Sequence, residues 1–159
     1  MLRNTFCYSM IVLVVFLSGC ASVPLVSPKE SSFAVDDTSE TRQAQNVAVW
    51  LGGETDVNGF YPLNQGFDAF GARLALADGA QVSIDLQYFL MKADNAGYVL
   101  GAKLLDAADR GVRVRILLDD IFTTVDDAKL AVLDDHPNLE VRIFNPIARN
   151  GIYALNYLG

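Results

Sequence analysis

Between Gln65 and Phe144 the hydrophobic pattern switches repeatedly between a helical and an extended period, and this alternation constrains the fold more than any other feature. Phe67, Phe70, Leu74 and Ala77 fall on one helical stripe, and Asp78-Gly79 ends it. VSIDLQYFL from Val82 then sets Val82, Ile84, Leu86 and Tyr88 against Ser83, Asp85, Gln87 and Phe89, which predicts a strand with one polar face. Asp94 or Asn95 can cap a second helix with Leu100, Leu104, Leu105 and Ala108 on its apolar side and Gly111 at its stop. VRVRILL from Val112 is a second strand, residues 125–134 a third helix and LEVRIF from Leu139 a third strand. Short connections in the order αβαβαβ predict an α/β layer whose strands are parallel or mostly parallel, with flanking helices.

The second strand runs into two carboxylates, Asp119 and Asp120. Open α/β sheets bind ligands at the C-terminal ends of their strands, so this pair is a candidate for the lining of a cleft. A solvated strand end is the bland alternative. Asp85 and Gln87 share the polar face of the first strand and are candidates for the same lining, against a plain hydrogen-bonded role. Asp126 and Asp127 suit a different task. Thr123 or Thr124 with an Asp three residues on makes a capping box, and first-turn carboxylates suit the helix dipole.

The N-terminus constrains location. MLRNTFCYSMIVLVVFLSGC has one Arg, an apolar core from Met10 to Leu17 and small residues before Cys20, the layout of an export signal. The run is shorter than the about 20 apolar residues that a bilayer span needs. Leu17-Ser18-Gly19-Cys20 resembles the bacterial lipoprotein signal, in which cleavage precedes the Cys and its thiol takes a diacylglycerol. That resemblance implies a signal peptide over residues 1–19 and a lipid anchor at Cys20. Ala21, in place of an Asp, implies the outer membrane, facing the periplasm. Cys7 leaves with the signal, so the mature chain forms no intrachain disulfide.

Cleavage there leaves about 140 residues, which suits one domain. The net charge of −7 becomes one unit more negative with the loss of Arg3. Such an acidic chain is poorly suited to DNA phosphates, so no nucleic acid partner is expected, and it has no polybasic attraction to anionic headgroups. Residues 20–59 are rich in Ser, Pro, Asp and Thr and end in the turn-forming WLGGETDVNG, which reads as a flexible tether. The compact part is expected over residues 60–159.

Here the residues carry a resemblance. SIDLQYFLMKADNAGYVLGAKLLDAADRGVRVRILLDD, followed by HPNLEVRIFNP, is similar to the first part of a phospholipase D superfamily domain, in its bacterial cardiolipin-synthase-like branch. The matching blocks arrive in order: Gln87-Tyr88 at a strand end, Asp94 and Gly97 opening a helix, Ala107-Ala108-Asp109-Arg110-Gly111-Val112 into a strand, and Glu140-Val141-Arg142 before Phe144-Asn145-Pro146. The resemblance implies a phosphatidyltransferase or phosphodiesterase acting on a phosphatidylglycerol-like phospholipid, with no metal or other cofactor. Family members use two copies of H-x-K-x-x-x-x-D, in which one His attacks phosphorus, the other protonates the leaving alcohol and the Lys pair holds phosphate oxygens.

The 159 residues depart from that pattern. Their one His stands in His136-Pro137-Asn138, with Asn where the pattern needs Lys. His136 therefore reads as a loop residue, and no catalytic residue is assigned. Ile152, Tyr153, Leu155, Tyr157 and Leu158 form an apolar run at the end of the sequence, which suggests an N-terminal part of a larger enzyme and a tendency to self-associate. A phospho-accepting receiver or a Mg²⁺ site also uses an acidic pair after a strand, but an export signal argues against the receiver. The alternative in another class is a non-enzymatic envelope lipoprotein that binds a partner or lipid through an open face.

Overall fold

A computed structural model describes residues 29–121 and 123–146. Its elements are α1 (Arg42–Trp50), α2 (Gly66–Gly79), β1 (Ser83–Tyr88), α3 (Asn95–Asp109), β2 (Arg113–Asp119), α4 (Asp127–Asp134) and β3 (Leu139–Phe144). The three strands form a sheet in the order β1-β2-β3, parallel throughout. The expected α/β layer is therefore present, with each expected element within a few residues of its place. Cys20, the signal, the start of the tether and the Ile152–Leu158 run lie outside the described residues.

Alternation along the strands gives the sheet two unlike faces. Val114, Ile116 and Leu118 of β2, with Leu139 and Val141 of β3, are buried against the helices. Leu104, Ala107 and Ala108 of α3 and Leu130 of α4 fill that interface. The other face carries Ser83, Asp85 and Gln87 on β1, Arg113 and Arg115 on β2, and Glu140 and Arg142 on β3. Register sets Asp85 directly beside Arg115, and Arg115 beside Glu140.

Helix ends follow from local chemistry. Asp94 caps α3 by accepting from the Gly97 amide at 2.9 Å. A Cβ on Gly97 would lie 2.0 Å from the Lys92 carbonyl oxygen, so the incoming turn can sit against the helix start only where that side chain is missing. At the other end Gly111 takes φ +89°, its amide donates to Ala108 and the Val112 amide donates to Ala107, which closes a Schellman motif. The Arg110 guanidinium donates to the carbonyls of Ala77 and Asp78, satisfying the C-terminus of α2 and joining the two helices.

Three expectations are corrected. The cap of α4 is Asp126, which accepts from the Ala128 amide at 2.7 Å, whereas the Thr123 hydroxyl donates to the Asp119 carbonyl and Thr124 Oγ1 accepts from the Ala93 amide; there is no Thr-led capping box. Thr124 is drawn away because its own amide donates to Met91, leaving Asp126 next to the helix. Phe67 is 94% exposed rather than part of the buried stripe, since it sits in the first turn of α2, while Phe70 and Leu74 reach the core. In α3 the buried positions are Leu100, Leu104, Ala107 and Ala108, with Leu105 half-buried.

Within the stretch read as a tether, Thr41 caps α1, a helix with no buried residue. Gln43 donates to the Leu76 carbonyl and the Arg42 amide donates to Gln81, so polar contacts hold α1 to the layer. Trp50 packs on Gly59, where a Cβ would meet the indole at 2.0 Å. Among the described residues no helix is long and apolar enough to cross a membrane.

Candidate functional site

The polar sheet face is built around one ion pair. Arg115 donates from Nε to Asp85 Oδ1 at 2.6 Å and from a terminal nitrogen to Oδ2 at 2.7 Å. This bidentate geometry is what adjacent parallel strands allow when register places an Asp beside an Arg on one face. The hydrogen bonds from Arg115 hold the Asp85 carboxyl below its ordinary value, and the same bonds raise Arg115. On β3, Arg142 donates to Glu140 at 2.5 Å.

Asp85 and Gln87 do share a hollow. It has a volume of 180 Å³ and is walled also by Ser32, Arg115, Leu117 and Arg142. Asp119 stands on the same face but four residues beyond Arg115, about 13 Å along the strand. Its Oδ1 accepts from the Ile121 amide at 2.9 Å, and Asn145 lies 3.5 Å from Oδ2. Asp120 has the opposite orientation: it is 7% exposed and its amide donates to the Phe144 carbonyl. The four candidates thus divide into a pair in the hollow, one strand-end turn former and one buried carboxylate. Among the described residues no His, Cys, Asp or Glu cluster could hold a metal ion.

His136 lies in the turn before β3. Its Nδ1 accepts from the Asn138 amide at 3.1 Å, which leaves the proton on Nε2, 3.1 Å from Asp109. Both ring nitrogens are engaged, and the ring joins the end of α3 to the turn. A second hollow, of 490 Å³, follows the outer edge of β1 between α2 and α3, where Leu76, Ala77, Leu100 and Leu104 line it.

Sequence reasoning missed the arginines. Arg113 donates to the Phe33 carbonyl at 2.9 Å, Arg115 to Ser32 Oγ at 3.1 Å and Arg142 to the Glu30 carbonyl. The alternation of Arg with apolar residues in VRVRILL was the available signal, because a strand with charge at every second position has one face outside the core.

An α/β layer with one polar sheet face is the class that fold and site define, and the comparisons narrow it. No family model matches the chain. Cardiolipin synthase C of Escherichia coli K12 is 46% identical over 100 residues, covering 63% of this chain and 21% of that protein. An uncharacterized protein of Helicobacter pylori is 38% identical over 133 residues, 84% of this chain and 26% of that one. A solved structure of TrmBL2, an archaeal chromatin protein, aligns with a TM-score of 0.43 and 18% identity over 67% of this chain and 42% of that chain, too distant to carry an argument. The chain spans 21% to 28% of the length of the curated relatives it matches. The similarity to cardiolipin synthase C supports a cardiolipin-synthase-like relationship, within the phospholipase D superfamily.

Proposed function

We propose that this chain supplies the N-terminal layer of a phospholipase D-like phosphatidyltransferase or phosphodiesterase that acts on a phosphatidylglycerol-like phospholipid, held at the outer membrane by a lipid on Cys20. The observation that carries the reading is the 46% identity to cardiolipin synthase C over 100 residues. The motifs that carry the resemblance also have structural reasons to exist, since Asp94, Gly97 and Gly111 each perform a cap or a close approach that other residues would disrupt.

The 159 residues themselves are proposed to lack phosphoryl-transfer activity. Phosphoryl transfer of this kind needs a nucleophile and cations around the phosphate, and the one His has Asn two positions on. His136 also spends both nitrogens on structure, and Arg115 and Arg142 are each paired with a carboxylate. Incubation of the purified chain with phosphatidylglycerol vesicles tests this. Release of headgroup or formation of cardiolipin should match a protein-free blank, and turnover lost on His136→Ala would make His136 the nucleophile and overturn the reading.

A further inference from the structure

The polar sheet face is not bare. Segment 29–33 lies across it, starting where Lys29 pairs with Asp134 at the end of α4. The segment then meets β3 through Arg142 and the Glu30 carbonyl, and β2 through Arg115 with Ser32 and Arg113 with the Phe33 carbonyl. Every one of these contacts is polar, and two of the three guanidinium contacts go to backbone carbonyls. Burial of apolar surface therefore contributes little to holding the segment, and water can replace each contact at small net cost. A segment held in this way exchanges between docked and released states much more readily than a core element.

Beyond the segment the chain is held again at Arg42 and Gln43, by Gln81 and the Leu76 carbonyl. We infer that residues 29–33 are a releasable strap whose docking on Arg113, Arg115 and Arg142 sets how far the folded layer can stand from Cys20. This rests on the reading of Cys20 as the anchored residue. With the strap docked, the first held residue is Lys29, and the nine residues that separate it from Cys20 can span at most about 30 Å; with it released, the first held residue is Thr41, and the 21 residues that separate it from Cys20 can span at most about 70 Å. The strap thus selects between a layer kept close to the lipid surface and one with a longer reach.

The test uses the full chain bound to vesicles that contain a dansyl-headgroup lipid. Trp50, the one Trp of the sequence, sits on α1 and serves as energy donor. Trypsin cleavage after Lys29 reports release of the strap, and Trp50-to-dansyl transfer reports distance from the lipid. Against wild type, the Arg113→Ala, Arg142→Ala double variant should be cleaved several-fold faster and show lower transfer. Asp134→Asn, which keeps an oxygen for the Val141 amide while losing the charge that holds Lys29, should move both readouts in the same direction by less. Unchanged cleavage in variants with wild-type circular dichroism would overturn strap docking. Faster cleavage with unchanged transfer would overturn the control of reach. Palmitate labelling of wild type and Cys20→Ser reads the anchor separately: equal labelling would remove the anchored reading, and the control of reach with it, while the cleavage comparison would still report on docking.

Discussion

Asp85 and Arg115 face each other across β1 and β2 and close two hydrogen bonds at 2.6 and 2.7 Å, so the most exposed carboxylate of the sheet face is already committed to a neighbour. The pair makes the polar face a joined surface rather than a row of free charges. It also gives that face a pH dependence of definite sign.

Because Arg115 lowers the folded-state value of Asp85, the pair contributes stability in full above the ordinary carboxylate range, about 3.9, and loses it as pH falls through the lowered folded value. The urea midpoint of wild type should exceed that of Asp85→Asn at neutral pH, and the difference should shrink below about pH 4. A difference that stays constant down to acid unfolding would show that the ion pair does not act on stability.

Much of this architecture was legible because local signals agreed. Asp94, Gly97 and Gly111 mark helix ends by chemistry that needs no tertiary partner, and period-2 alternation in β1 and β2 separates the faces. The misplaced residues depended on tertiary choices. Thr124 and Asp126 are equally good caps in sequence, and the contact of Thr124 with Met91 decides between them. Asp119 and Asp120 are adjacent in sequence yet serve opposite faces, since neighbours at a strand end diverge. The strap was illegible because its partners are 80 to 112 positions away and two of its four contacts go to backbone carbonyls, which leave no side-chain pattern.

The core should respond to substitution in proportion to burial. Leu104 is fully buried between α3 and the sheet, so Leu104→Ala should cost about 2–5 kcal/mol in equilibrium unfolding. Gly111→Ala should cost roughly 1–2 kcal/mol, because φ +89° strains any residue with a Cβ. A smaller loss at Leu104 than at Gly111 would contradict the packing described.

Labelling of cells with radioactive palmitate should mark the wild-type chain and leave Cys20→Ser unmarked. The labelled form should fractionate with the outer membrane, as Ala21 lacks the acidic retention signal. Label in the inner membrane would reject that assignment while keeping the anchor.

The outer edge of β1 has no strand beside it among the described residues, and the 490 Å³ hollow along it is lined by Leu76, Ala77, Leu100 and Leu104 together with the polar Gln43 and Arg73. On β3 the Val141 amide is covered by Asp134. Association through the β1 edge is therefore expected, with sedimentation showing species larger than a monomer at micromolar concentration. A monomer with a sharp, reversible thermal transition would show that the edge is adequately covered.

Exchange of parts tests the family relationship most directly. The 100 residues of cardiolipin synthase C that match this chain at 46% identity are replaced by their counterparts from this chain, and cardiolipin formation is measured in the chimera. If the layer is the N-terminal part of a phospholipase D-like enzyme, the chimera folds and forms cardiolipin at a rate within about tenfold of the parent, since core changes that conserve volume and pattern are tolerated. A soluble chimera with the parent's circular dichroism and no cardiolipin formation would contradict the account.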